Sequence, residues 1–255
     1  MNFFFGIKNN NLNSCLTIPK FQNRSSTNKR YELFEAKIHQ NKWKFNKVKC
    51  KQNKNFFFAD QDIVDNETIF FLAEEDKIKK LEEEKINKLL KLNNFTDTFP
   101  AFRANLKIFN KAGGFSSYQS DYPFSMINKQ GSIMSQLSNL TNIEADTNKV
   151  FIKNIFQLPI KEKFKVYFVD IQSKQILYEK EIITNMTNEV EIDKKFLKPN
   201  IFLFTKKYIG VPMYVSFKNY NISFEHTHPP HEYVLSDDRY KRVSDLKKEI
   251  NEIIV

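Results

Sequence analysis

Apolar and polar residues alternate most strictly over Phe102-Arg103-Ala104-Asn105-Leu106-Lys107-Ile108. Successive side chains of a strand point to opposite faces, so this stretch predicts a half-buried β-strand. Shorter β-like runs cover Tyr31 to Ile38, Lys42 to Cys50, Phe56 to Ala59 and Thr68 to Leu72, with Trp43 and Phe45 alternating with lysines. From Val150 onward, strand-like runs at 150–157, 164–171, 175–184, 188–192, 201–205, 211–218 and 220–227 are separated by polar turns. Many short strands at this spacing predict a sandwich or barrel. Phe164 to Ile171, Gln172-Ser173-Lys174 and Ile176-Leu177-Tyr178 read as a hairpin.

The period changes in two places. Between residues 74 and 92, Ile78, Leu81, Ile86, Leu89, Leu90 and Leu92 form an apolar stripe at helical spacing. Glu74, Glu75 and Asp76 stand at its start, where acidic groups complement the helix dipole. After Leu235, Ser236-Asp237-Asp238 is a helix-start signal, and Val243, Leu246, Ile250, Ile253 and Ile254 give the helix an apolar face.

These elements predict an α+β chain that is mainly β. Residues 1–30 are a polar N-terminal segment, and 31–98 a small α+β region with one amphipathic helix. Residues 99–235 form an immunoglobulin-like or jelly-roll-like β-sandwich, and 236–255 a C-terminal helix. The boundary falls at the connector 95–100, which holds Thr96-Asp97-Thr98 and Pro100.

Composition narrows the function. The 255 residues hold 26 phenylalanines, enough for a sizeable core, but only 5 glycines. No glycine-rich phosphate loop is present, which disfavours nucleotide binding. The formal charge of +10 raises nucleic acid as a partner, yet the lysines are spread along the chain and arginine is rare. Nucleic acid therefore ranks last among the expected ligands. Cys15 and Cys50 form no CxxC pair and suggest free thiols in a reducing compartment. Without a signal peptide or membrane-spanning run, the expectation is a soluble, cytoplasmic protein.

Gly113-Gly114 opens a segment, Phe115 to Phe124, that reads as irregular. It mixes aromatic rings with hydroxyls, an amide and one acid, Asp121. Asp121 and Tyr122 are expected to contact a sugar or other polar ligand there.

The densest chemistry lies at Phe224-Glu225-His226-Thr227-His228-Pro229-Pro230-His231-Glu232, with three of the chain's four histidines. On a strand His226 and His228 share a face. Pro229-Pro230 ends the strand and stiffens the corner. The turn can return His231 or Glu232 towards the pair, giving nitrogen and carboxylate donors suited to zinc, iron or manganese. Arg239, Lys241 and Arg242 follow on the helix, where they can clamp an anionic substrate.

The spacing of His226, His228 and Glu232 resembles the first metal motif of the cupin superfamily, and Tyr233-Val234-Leu235 resembles a cupin strand. The resemblance implies a divalent metal held by these three residues. It covers about a dozen residues. No histidine follows His231 to supply the second cupin motif. The cupin barrel and its chemistry are therefore not carried over. The leading expectation is a divalent-metal-binding protein, with an open coordination position if it is an enzyme acting on a polar or anionic small molecule or sugar. The rival is a non-catalytic module that binds carbohydrate or protein, with a structural histidine hairpin.

Overall fold

The computed structural model describes residues 2–20, 31–78, 103–128, 130–226 and 237–254. The chain divides into two compact units. The first comprises residues 1–128, 155–161 and 185–187; the second comprises 129–154, 162–184 and 188–255.

The first unit contains β1 (Asn2–Phe3), β2 (Leu12–Pro19), β3 (Glu32–His39), β4 (Lys42–Lys47), β5 (Lys51–Gln52), β6 (Phe56–Ala59) and β7 (Ile69–Ala73). It continues with α1 (Glu75–Ile78), β8 (Asn105–Asn110), β9 (Gly113–Gln119) and β10 (Tyr122–Pro123). A five-stranded antiparallel sheet has the order β5-β6-β2-β8-β9, and a three-stranded sheet the order β4-β3-β7. β1 pairs with β10, and an antiparallel bridge joins Phe4 to Phe70.

Phenylalanine builds much of this core. Phe3 stacks on Phe124 with ring centroids 5.2 Å apart and meets Phe71 edge-on at 6.2 Å. Trp43 is fully buried, and its indole N–H donates to the Gln157 carbonyl at 3.1 Å, which satisfies the one polar atom of the ring. The chain passes too close at Gly6 for any side chain: a Cβ there would lie 1.9 Å from Val64 Cγ1. The β3–β4 hairpin turns through Gln40 and Asn41, both with positive φ (50° and 59°), matching the right-handed strand twist.

The second unit contains β11 (Met134–Gln136), β12 (Thr147–Lys153), β13 (Lys163–Asp170), β14 (Gln175–Ile183) and β15 (Thr187–Ile192), whose first residue counts with the first unit. β16 (Ile201–Thr205), β17 (Val211–Lys218), β18 (Asn221–His226) and α2 (Asp237–Ile253) follow. Two four-stranded sheets form, ordered β11-β16-β13-β14 and β15-β12-β17-β18. The buried Tyr214 hydroxyl on β17 donates to Ser135 Oγ on β11 at 2.8 Å, linking the two. Ile250 of α2 and Ile254 just after it pack with Val169 of β13 and Phe204 of β16, joined by Leu246 and Ile253 at helical spacing. Lys247 of α2 donates to the Ser132 carbonyl at 3.0 Å.

The described chain is mainly β, and its strands follow the expected runs of the C-terminal half closely. Two stretches differ. Residues 113–119 are not irregular: they form β9, hairpinned to β8, because Ser116 and Tyr118 alternate with the more exposed Phe115, Ser117 and Gln119. Leu12–Pro19, inside the stretch read as a polar segment, is the central strand β2 of the five-stranded sheet. The connector at 95–100 and the expected helix beyond Ile78 lie outside the described residues. Strands from both sides of them, β6 and β8, flank β2 in one sheet.

Candidate functional site

β18 positions the only described histidine of the cluster. Along it Asn221, Ser223 and Glu225 are exposed while Phe224 and His226 are buried. His226 retains 9% exposure and faces Met213 of β17 across the ladder. Its imidazole thus belongs to the packed side of the sheet. His228, His231 and Glu232 lie outside the described residues. Among the described residues, no group of three or more His, Cys, Asp or Glu side chains is arranged to hold a metal ion. Arg239 falls in the first turns of α2.

Asp121 and Tyr122 belong to the first unit, whereas His226 and Arg239 belong to the second. The Asp121 carboxylate is nearly buried and lies 3.8 Å from the Arg103 guanidinium. Tyr122 is wholly buried, and its hydroxyl donates to the Ile155 carbonyl at 3.2 Å. Burial pushes that phenol well above its ordinary range. Burial likewise raises the thiols of Cys15 and Cys50, which keeps them protonated and poor nucleophiles.

One face of the five-stranded sheet gathers exposed functional groups. Register places Gln119, Asn105, Thr17, Phe58 and Lys51 in one row across all five strands. Ser117, Lys107 and Cys15 make the next row, and Phe115, Phe109 and Asn13 the one beyond. The opposite face carries Leu106, Leu16, Ala59 and Ile108, all buried.

Four phenylalanines therefore stand on the open face. Phe115 is 65% exposed and Phe56 36%, while Phe58 and Phe109 are half-buried. The rings of Phe56 and Phe58 lie 6.4 Å apart. Lys107 Nζ sits over the Phe115 ring, and Arg103 donates to Gln119 Oε1 at 2.9 Å. Beside this face, Lys49, Cys50, Lys51 and Asp60 help to line an open groove of about 730 Å³. Lys47, also at the groove, is bonded to Glu75 at 2.9 Å and lies 3.6 Å from Glu32.

No protein-family model, curated protein or solved structure gives a significant match to the chain. The open face was hidden from sequence reading because its residues come from five separate strands. The signal existed in each strand as alternation, but only the strand order β5-β6-β2-β8-β9 assembles it.

Proposed function

We propose that the protein is a non-catalytic binding module whose binding surface is the open face of the five-stranded sheet. The observation that carries this reading is the gathering of Phe56, Phe58, Phe109 and Phe115 with amides and hydroxyls on one solvent-facing surface. Exposed aromatic clusters of this kind are costly to leave in water and mark interaction sites. The second unit is an immunoglobulin-like or jelly-roll-like β-sandwich in this reading. Support comes from its two four-stranded sheets and the buried Tyr214–Ser135 hydrogen bond between them.

The test presents the full chain with a panel of neutral oligosaccharides, acidic oligosaccharides, single-stranded oligonucleotides and peptides. At least one class should bind, and a Phe58→Ser/Phe115→Ser double variant should lose that binding while keeping its circular dichroism spectrum. Binding that survives the double variant, or none at all, overturns the reading.

A second reading keeps the divalent-metal site, with His226, His228 and either His231 or Glu232 as ligands to zinc, iron or manganese. Burial of His226 at the strand end favours it, since an imidazole held away from solvent is restrained in orientation. Bound metal would supply a Lewis acid for a polar or anionic substrate. Elemental analysis of protein purified without a histidine tag should then find about one equivalent of metal, in line with a single site of His and carboxylate donors. A His226→Ala/His228→Ala variant should lose it. Metal-free wild-type protein that cannot be reloaded sinks this reading.

A further inference from the structure

We infer that the ligand of this open sheet face is single-stranded nucleic acid; the inference rests on the binding-module reading and names its ligand class. The charge distribution leads to it. The five strands of the sheet contain no aspartate or glutamate, and their only charged residues are Lys51 and Lys107. Both stand in rows of the open face, opposite Phe58 in one case and Cys15 and Ser117 in the other. Lys49 in the adjoining groove adds positive charge at the border. Asp60 and Glu32 are the acids that line the same groove, and Glu32 lies 3.6 Å from Lys47.

The second unit shows the contrast. On the outer side of its β13–β14 hairpin, Lys163 meets Glu181 at 3.2 Å and Lys165 meets Glu179 at 2.9 Å. Those lysines are neutralised within the sheet, as an ordinary solvated surface is. None of the five strands that carry the rings supplies a cross-strand carboxylate, and Asp60 and Asp62, just past β6, act on Cys15 from the border.

Phosphates need cations, and unstacked bases need flat apolar surfaces; a sheet presenting both is a platform for single strands. Phe109 and Phe115 are register partners, and Phe58 lies two strands across and four residues along from Phe109. Strand spacing and rise put the two ring groups about 16 Å apart, a span a short oligonucleotide bridges. Lys107 stands between them. A duplex would not fit this use of the rings, because its bases are already stacked on one another. A neutral glycan would make no use of the lysines. The low rank given to nucleic acid from composition assumed dispersed lysines, and the fold places two of them among the rings.

The test measures fluorescence anisotropy of fluorescein-labelled U12 and dT12 with the full chain at 50 and 200 mM salt. Binding should weaken with salt. Phe58→Ala and Phe115→Ala should each weaken it roughly 5- to 100-fold, the range of a lost base stack. Lys51→Ala/Lys107→Ala should lower the slope of log affinity against log salt by about 1.4, as two phosphate contacts predict for a single strand. Lys163→Ala/Lys165→Ala should bind as wild type. Because the lysine positions are exposed, that arm stands even if a phenylalanine variant misfolds. Absence of oligonucleotide binding at 100-fold molar excess of protein, or affinity indifferent to these substitutions, overturns the inference. If an oligosaccharide or peptide instead binds and Phe58→Ser/Phe115→Ser abolishes it, the ligand class falls while the binding face stands. If nothing binds in a face-dependent way, both fall.

Discussion

Lys107 Nζ lies 4.2 Å from the centroid of the Phe115 ring, on the open face of a sheet whose five strands carry no carboxylate. A cation over an exposed ring contributes about 0.5–1 kcal/mol. Phe115 is 65% exposed, so little apolar burial is lost when it is removed. Phe115→Ala should therefore change the urea unfolding free energy by no more than about 1 kcal/mol. The same substitution should impair ligand binding. A large loss of stability would mean that Phe115 serves the fold rather than a ligand.

The opposite balance holds at Ile250. It is fully buried among Val169, Phe204 and Ile254, so α2 is fastened to β13 and β16 through it. Ile250→Ala removes buried methyl and methylene groups and leaves a cavity, which should cost about 2–5 kcal/mol. Chemical denaturation should show this loss. Lys248→Ala, two residues earlier and with a 74% exposed side chain, should stay within about 0.5 kcal/mol of wild type.

The difference between α2 and β2 explains what was legible in the sequence. In α2 and the residue that follows it, Leu246, Ile250, Ile253 and Ile254 repeat at helical spacing within one uninterrupted stretch, so the buried face can be read directly. In β2, Leu12, Ser14, Leu16 and Ile18 alternate inward just as regularly. There the inward set includes a serine, whose hydroxyl donates to the Ile7 carbonyl at 2.7 Å, and the flanks are asparagine-rich. A polar residue satisfied inside the core breaks the hydrophobic pattern without breaking the strand. Segment 113–119 was obscured similarly, since Gly113-Gly114 and small hydroxyl residues resemble a loop. Pairing with β8 supplies the missing constraint. The open face depends on strand order, a non-local property that no single window of sequence contains.

Acid should weaken the fold through Asp65. Burial by itself raises this carboxyl, but the Lys37 ammonium at 2.7 Å and the Thr68 hydroxyl and N–H outweigh it. The group therefore titrates below its ordinary range. A carboxyl whose folded pKa is depressed stabilises the fold above its unfolded value of about 3.9 and loses that contribution as pH falls through the folded value. Asp170, lowered by the Ser173 and Gln172 N–H groups and the Asn200 amide against the effect of burial, acts in the same direction. Urea midpoints should be level above about pH 5 and fall below about pH 4. Asp65→Asn should reduce the steepness of that fall, and an unchanged profile would remove Asp65 from the account.

Tyr122 separates a structural tyrosine from a ligand-contacting one. Its ring is wholly buried and its hydroxyl is committed to the Ile155 carbonyl, although its neighbourhood in sequence suggests a polar-ligand contact. Tyr122→Phe keeps the ring and removes the donor, leaving a buried carbonyl without that hydrogen bond. The expected cost is about 0.5–1.5 kcal/mol of unfolding free energy, the net worth of one such bond. Binding to the open face should be unaffected, because the residue contributes no exposed surface. Denaturation and oligonucleotide anisotropy on the same preparation give both readouts. Lost affinity with unchanged stability would return Tyr122 to the ligand site, whereas lost stability with unchanged affinity assigns its hydroxyl to the core.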